Sequence, residues 1–382
     1  MHELAGRVDD FERSQIRVMF DLAGEAEAAG EDPVRLEVGE PDFDTPEHVT
    51  EAAFEAVRDG ATDYTASAGI DPLRRAIADT LAADYDLPYD PDQVVATVGG
   101  MEALHVTMLT LVDPGETVVT PSPVWPNYEI HAALAGGDLR EVPLSYPYDL
   151  DADRVIDAVD DDTAAVVLTT PSNPTGRVYD PEPVARVTEA AAEHDAYVIA
   201  DEVYAGLTYD RDPTGVAAVV DHPERVVTVG SLSKTHAMTG WRLGWLAAPD
   251  AVVDGATKVR EGTTSCPPAP SQHAALAALT GPAAPAEEMY AAFRERRDYV
   301  ARRLDEIDGV RAPRPEGAFY AFLDVEGATD SLALAKRLLS EHGVVLAPGS
   351  GFGEGDEGRL RLSFANSRER LETGLDRLAD AV

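Results

Sequence analysis

The side chains best suited to catalysis each follow a short apolar run in the middle of the chain. They are Asn173, Asp201, Lys234 and Arg242. A lysine amine is a nucleophile that can form an imine with a carbonyl compound. A carboxylate at the end of a buried strand needs a partner, because an isolated buried charge is costly, and a guanidinium can pair with a phosphate or a carboxylate. Together the four residues predict a site that combines covalent attachment with anion binding.

Lys234 is distinctive because lysine is rare in this chain. Of the 31 basic residues only Lys234, Lys258 and Lys336 are lysine, and the other 28 are arginine. Lys258 and Lys336 lie in helical patterns without other reactive groups nearby. A solvated loop lysine is therefore a poor interpretation of Lys234, and the sequence predicts an imine-forming residue there.

Six short apolar runs predict the strands that position these residues. Ala- and Glu-rich helical patterns such as 181–195 separate several of them. This alternation favours an α/β fold with a mainly parallel sheet and helices on both faces. In such sheets ligands bind beyond the carboxyl ends of the strands. The runs are 94–98, 117–120, 164–169, 197–200, 226–229 and 243–247.

Further polar and aromatic groups follow the same runs. Each has an ordinary interpretation: a strand–glycine–helix turn is usually structural, a lone Trp usually packs, and SNPTG is typical of a turn. Combined with the four residues above, however, they match what pyridoxal phosphate requires, namely an amine, a carboxylate for the ring nitrogen, an aromatic plane and phosphate donors. These further groups are Gly99, Gly100, Met101, Trp125, Tyr204 and Ser231.

The pattern changes near residue 284. A long charged helix precedes fewer strands with longer connections, which predicts a smaller α+β domain. A chain of 382 residues also exceeds the size at which one core usually stops growing. We therefore predict a large domain over 48–283 and a small domain formed by 1–47 and 284–382.

Eight motifs in order give the chain a close resemblance to the class I/II pyridoxal-phosphate aminotransferases, from about residue 14 to the end. This resemblance implies the fold type I architecture and a homodimer with active sites at its interface. It also implies an L-amino acid donor and a 2-oxo acid acceptor. The motifs are GEPDFDTP, GGMEAL, SNPTG, DEVY, SLSKTHAMTGWRLGW, PEGAFY, APGSGFG and RLSFA.

The resemblance also assigns expected roles to individual residues. Lys234 matches the lysine that binds the cofactor and moves the substrate proton. Asp201 matches the partner of the ring nitrogen, and Trp125 the stacking aromatic. The remaining matches are Asn173 and Tyr204 at the phenolic oxygen, Gly99, Gly100, Met101, Ser231 and Arg242 at the phosphate, Tyr64 reaching the phosphate in the other subunit, and Arg361, Asn173 and Gly39 at the substrate carboxylate.

The substrate side chain is left open. The SQIR segment resembles an N-terminal piece that borders the substrate pocket in related enzymes, where Ile16 would be an apolar wall and Arg17 a candidate cation. Aspartate, aromatic, branched-chain and alanine donors all remain candidates. The leading function is amino transfer by a ping-pong mechanism through Lys234.

Two other functions compete with amino transfer. A carbon–sulfur lyase that releases products by β-elimination would use the same cofactor motifs. A transcription regulator with an aminotransferase-like domain would need an added DNA-binding region, and fewer than 20 residues precede the resemblance.

The net charge of −39 argues against binding to nucleic acid or to a membrane surface. Acidic residues spread along the whole chain, together with scarce lysine, favour a salt-rich source. The one cysteine, Cys266, excludes an internal disulfide, and no sequence pattern predicts a metal site. The N-terminus lacks a secretory signal pattern and no apolar run is long enough to span a bilayer, so we expect a cytoplasmic protein.

Overall fold

The computed structural model describes residues 14–353 and 355–382. Thirteen strands lie within these ranges. They are β1 (Val34–Arg35), β2 (Val94–Thr97), β3 (Thr117–Ser122), β4 (Asp138–Pro143), β5 (Thr163–Thr169), β6 (Tyr197–Asp201), β7 (Val226–Ser231), β8 (Gly244–Ala247), β9 (Val310–Arg311), β10 (Tyr320–Val325), β11 (Val344–Val345), β12 (Ala347–Pro348) and β13 (Arg359–Ser363).

The same ranges contain thirteen α-helices, most of which lie between strands. They are α1 (Gln15–Ala28), α2 (Glu47–Arg58), α3 (Asp71–Tyr85), α4 (Gly99–Leu111), α5 (Asn127–Ala135), α6 (Ala152–Ile156), α7 (Pro181–Glu193), α8 (Leu232–Thr235), α9 (Asp250–Glu261), α10 (Ala269–Thr280), α11 (Ala284–Leu304), α12 (Ser331–His342) and α13 (Arg368–Ala379).

The largest sheet has seven strands in the order β2-β8-β7-β6-β5-β3-β4. Its neighbours pair in parallel except around β8, which is antiparallel to both β2 and β7. All six strands predicted from apolar runs belong to it, which confirms the mainly parallel α/β fold. The edge strand β4 was not predicted.

Helices cover both faces of this sheet. Alternate residues of a strand point to opposite faces, so Val166 and Leu168 of β5 pack with α6 and α7. Ala165 and Val167 of the same strand pack on the other side with α4, α5 and α9. Because both faces are buried, these strands read as continuous apolar runs.

The C-terminal part builds a second core. Strands β12, β13, β10 and β9 form an antiparallel sheet, while β1 pairs in parallel with β11. Residues of α1, α11, α12 and α13 share one apolar cluster with this sheet. We propose the division into 48–283 and 1–47 with 284–382 on this packing, although residues 1–13 lie outside the described residues. No described helix is long and apolar enough to cross a bilayer.

Candidate active site

A cavity of about 580 Å³ lies at the carboxyl ends of β3, β5, β6 and β7. Its walls come from both cores, since β10 and β13 also contribute. The structure brings most of the predicted site residues to it. They are Gly39, Gly100, Met101, Trp125, Asn173, Asp201, Tyr204, Ser231, Lys234, Arg242 and Arg361.

Lys234 lies on α8, a single helical turn directly after β7. Ser231 caps this turn: its hydroxyl accepts a hydrogen bond from the Ser233 N–H at 3.1 Å and donates one to the Leu243 carbonyl at 3.0 Å. The Lys234 amine donates to the Gly39 carbonyl at 2.6 Å. Burial lowers the pKa of Lys234 to about 8, with Arg361 and Arg242 acting in the same direction and Glu40 opposing. The amine therefore loses its proton more readily than a free lysine does, and the uncharged form is the nucleophile.

Arg242 is held at the end of the same loop. Strands β7 and β8 pair antiparallel with Ser231 opposite Gly244, so one loop carries both Lys234 and Arg242. The Arg242 guanidinium lies against Gly99, where a Cβ atom would be 2.4 Å from Nη2. Gly99 also has a φ of +74°, which favours glycine. Gly99 is thus needed for the close approach of this guanidinium to the start of α4.

Asp201 ends β6 and is almost completely buried. Its Oδ2 accepts a hydrogen bond from the Tyr128 hydroxyl at 2.5 Å, and its Oδ1 accepts one from the Val203 N–H at 3.3 Å. Within residues 14–353 and 355–382 no arginine, lysine or histidine forms an ion pair with it. Burial raises the pKa of Asp201 to about 6, against the effect of the Tyr128 hydrogen bond. A cationic group in the cavity would stabilise this carboxylate.

Arg361 on β13 is 2% exposed and is held from two sides. Its Nη1 donates to Asn173 Oδ1 at 2.9 Å, and its Nη2 donates to the Glu37 carbonyl at 2.7 Å. Its buried Nε has no hydrogen-bond partner in the described part of the chain. Burial lowers the pKa of this guanidinium. The fork is therefore fixed in orientation and retains donor capacity for a bound carboxylate.

Two residues of the cavity wall, Tyr128 and Tyr320, were not predicted as site residues, although Tyr128 lies close to Trp125 in the sequence and Tyr320 lies in the PEGAFY motif. Tyr128 donates to Asp201 and is also 2.7 Å from the Thr169 hydroxyl. Tyr320, from the PEGAFY motif, has its hydroxyl 2.9 Å from that of Tyr204. A buried tyrosine, whether on a helix such as α5 or in a strand such as β10, usually indicates packing. Only the position of each residue in or near a motif could have singled it out.

Trp125 lies on the wall of the cavity with its ring edge-to-face against Tyr128, at 5.6 Å between centroids. Tyr64 lies elsewhere: it is 88% exposed and does not line the cavity. The segment beneath it is held firmly, because Gln272 donates to the Thr65 hydroxyl at 2.8 Å and the buried Arg260 donates to the Ser67 carbonyl. Tyr64 thus projects from a fixed segment into solvent.

The mouth of the cavity is bordered by α1, which contributes Ile16, Arg17 and Phe20. The guanidinium of Arg17 lies 5.3 Å from the centre of the Phe20 ring, and that of Arg35 lies 4.7 Å from it. Arg17 is exposed, and no carboxylate in the described residues forms an ion pair with it. Among the cations that line the cavity, Arg17 is the one that the sequence names only as a candidate contact for the substrate side chain.

The geometry agrees with what is found in known proteins. The family model "Aminotransferase class I and II" matches residues 31–378. An aspartate aminotransferase of Bacillus subtilis is 35% identical over 98% of each chain, and one of Thermotoga maritima is 40% identical over 92% of each. The solved structure of Thermus thermophilus aspartate aminotransferase with maleate superposes with a TM-score of 0.95, at 38% identity and with complete coverage of both chains. The chain therefore belongs to the class I and II aminotransferases.

Proposed function

We propose that this aminotransferase works with pyridoxal 5'-phosphate bound at Lys234 and transfers the amino group of an acidic L-amino acid, such as aspartate, to a 2-oxo acid. The observation that carries the proposal is the partly uncharged Lys234 amine, buried in one cavity with the Asp201 carboxylate and the Arg361 guanidinium. The relatives named above are all aminotransferases, which favours amino transfer over the carbon–sulfur lyase alternative.

The residues present fit the proposed cofactor. No basic side chain of the described residues forms an ion pair with the buried Asp201 carboxylate, and a protonated ring nitrogen would provide such a partner. Because Gly99 has no side chain, the Arg242 guanidinium can lie directly against the start of α4, where a cation and backbone N–H groups together would suit a phosphate. The groups that would hold the cofactor are Gly99, Gly100, Met101, Ser231 and Arg242 at the phosphate, Trp125 at the ring face, and Asn173 and Tyr204 at the phenolic oxygen.

The chain's own residues account for the remaining chemistry. When bound, pyridoxal phosphate supplies an electron sink for the charge that develops at the substrate Cα. Arg361 and Asn173 hold the substrate carboxylate, and this orients the Cα–H bond. Lys234 Nζ removes the Cα proton, which requires an uncharged amine and so agrees with its lowered pKa. Since one site serves donor and acceptor in turn, we expect ping-pong kinetics.

Arg17 supports the choice of an acidic donor. It borders the cavity at the end formed by α1, away from any described ion pair. A second carboxylate on the substrate would give this guanidinium a charged partner. An aromatic or aliphatic side chain would instead leave Arg17 solvated beside Phe20.

The exposed Tyr64 supports a homodimer. A tyrosine that is 88% exposed on a fixed segment presents a large apolar surface to solvent. Phe54 and Val57 on the nearby α2 are also exposed. We propose that this surface contacts a second copy and that Tyr64 reaches the phosphate region of the neighbouring site.

The proposal is tested with the purified protein loaded with pyridoxal phosphate. Aspartate alone is expected to abolish the absorption band of the bound cofactor, and 2-oxoglutarate is expected to restore it. Lys234→Arg should lose this reaction by at least a thousandfold, as expected when a nucleophile is removed, whereas Lys258→Arg, on α9 outside the cavity, should retain it. Turnover by Lys234→Arg, or pyruvate release without amino transfer, would contradict the proposal.

A further inference from the structure

Tyr320 contacts three separate parts of the cavity wall. It begins β10 and is almost fully buried. Its hydroxyl lies 2.9 Å from that of Tyr204, and its ring lies 4.4 Å from the Arg361 guanidinium. A Cβ atom at Gly39 would lie 2.5 Å from the Tyr320 hydroxyl. One side chain therefore joins the group expected at the cofactor to the group expected at the substrate carboxylate.

The number of protons on the two hydroxyls determines the direction of their hydrogen bond. A tyrosine hydroxyl has one proton and can also accept. Burial raises the pKa of both Tyr204 and Tyr320, so both keep their protons at neutral pH. The charged groups that face the pair are Arg361 on β13, Asp201 at the end of β6 and Lys234 on α8. If Tyr204 donates its only proton to a ligand oxygen, its own oxygen must accept from Tyr320.

The ring of Tyr320 contacts Arg361, whereas its hydroxyl contacts Tyr204. The Arg361 guanidinium lies between the rings of Tyr320, at 4.4 Å, and Phe352, at 4.9 Å. Asn173 and the Glu37 carbonyl fix two of its nitrogens, and the rings restrict the plane in which the fork lies. A guanidinium is attracted to a ring face whether or not the ring has a hydroxyl.

We propose that Tyr320 is a positioning residue with two separable parts: its hydroxyl directs the proton of Tyr204 toward the cofactor's phenolic oxygen, and its ring fixes the plane of Arg361. This inference rests on the proposed function, because it needs the cofactor and a substrate carboxylate. In this role Tyr320 acts through its contacts with Tyr204 and Arg361.

The hydroxyl is tested by the pH at which the absorption band of the holoenzyme changes. A weaker donor at Tyr204 leaves the phenolic oxygen more basic, so Tyr320→Phe should raise this pH by roughly half a unit. Tyr204→Phe should raise it further, and adding Tyr320→Phe to it should have no additional effect, because the two act in series. An unchanged titration in Tyr320→Phe, or additive shifts in the double variant, would overturn the proposal.

The ring is tested by the affinity of the holoenzyme for maleate, a dicarboxylate without an amino group. Tyr320→Phe keeps the ring and should bind maleate within about twofold of the wild type, whereas Tyr320→Leu should bind it roughly tenfold more weakly. Equal affinities in Phe and Leu variants would disprove the role of the ring. Tyr299→Phe, a buried tyrosine whose hydroxyl contacts Arg303 outside the cavity, is the matched control and should change neither measurement.

Different results would contradict the proposed function and the proposed role of Tyr320. If wild-type protein acquires no pH-dependent absorption band with pyridoxal phosphate, the proposed function is wrong. If the band forms and titrates but Tyr320→Phe leaves it unchanged, only the inference about Tyr320 is wrong.

Discussion

At the residue scale, the cavity concentrates positive charge. Arg17, Lys234, Arg242 and Arg361 all line it. We propose roles for Lys234, Arg242 and Arg361 at the cofactor's aldehyde, its phosphate and the substrate's α-carboxylate, whereas the resemblance assigns Arg17 no such role. A small anionic substrate would enter such a cavity in spite of the net charge of −39, because local charges determine the field inside a cleft.

Arg17 allows the substrate class to be tested. Removing its charge with Arg17→Met should lower kcat/KM for aspartate by roughly 10- to 100-fold, since a hydrogen bond to a charged group is lost. The change with alanine as donor should be far smaller. Arg17→Lys should recover part of the loss, because it keeps the charge but not the planar fork. Equal losses for aspartate and alanine would mean that Arg17 does not contact the side-chain carboxylate.

Residues that supply a reactive group could be predicted from the sequence, and residues that support them could not. Lys234 is one of only three lysines, and Arg361 lies in the RLSFA motif; the structure places both in the cavity. Tyr128 and Tyr320 are buried aromatic residues in apolar surroundings. Their importance depends on which hydroxyl or carboxylate lies opposite, and this depends on contacts between distant segments.

At the element scale, the strand ends determine which polar groups are buried together. Asp201 and Glu202 are consecutive residues at the end of β6, yet only Asp201 lines the main cavity. Glu202 is buried elsewhere, and its carboxylate accepts a hydrogen bond from the Val216 N–H at 2.6 Å. Burial raises the pKa of Glu202 to about 8, with Asp201 acting in the same direction. Unlike Asp201, it has no proposed ligand to neutralise its charge.

Glu202 should make the folded protein less stable as the pH rises. The ordinary pKa of the group is 4.5, so between pH 4.5 and about 8 the unfolded chain has lost a proton that the folded protein still binds. Retention of this proton stabilises the folded protein at low pH, and the free energy of unfolding therefore decreases as the pH rises through that interval. Glu202→Gln should therefore gain stability relative to wild type from pH 5 to pH 8.5, measured by chemical denaturation of the holoenzymes.

The exposed substitution Glu193→Gln on α7 controls for the removal of one negative charge. A stability difference between Glu202→Gln and wild type that stays constant over this pH range would show that Glu202 does not retain its proton in the folded protein.

The strands of the large sheet were predictable to different degrees. The central strands are buried on both faces and therefore consist of unbroken apolar runs. Strand β4 lies at the edge of the sheet, and only Val142 of its sequence DLREVP is buried. Its polar sequence is therefore similar to that of a loop. The direction of β8 was also not predicted, because an apolar run does not indicate whether a strand is parallel to its neighbours.

At the scale of the whole molecule, the cavity is built by both cores, and the proposed dimer adds Tyr64 from a second copy. The position of Tyr64 is maintained within one chain by Gln272 and Arg260, so its place does not depend on the partner. The salt-rich source suggested by the charge stays a prediction.

The proposed shared site predicts complementation between two impaired variants. Lys234→Ala should be inactive, and Tyr64→Ala should be weakened by loss of a phosphate contact. When the two are mixed under conditions that exchange subunits, half of the dimers become hybrids with one site free of both changes. Activity should then return to about a quarter of the wild-type value. A mixture no more active than the sum of its separate components would show that Tyr64 serves its own subunit or no site at all.

The loop between β7 and β8 has a consequence for how the protein acquires a scarce ligand. Its two ends are fastened by the pairing of Ser231 with Gly244, and it carries both the Lys234 amine and the Arg242 guanidinium. With the phosphate bound at Arg242 and the imine formed at Lys234, as proposed, this loop would hold one ligand at two points. A phosphorylated aldehyde bound at Arg242 would then meet the amine at an effective concentration of the order of millimolar. Capture can therefore take place at bulk concentrations far below those at which an unphosphorylated aldehyde would react.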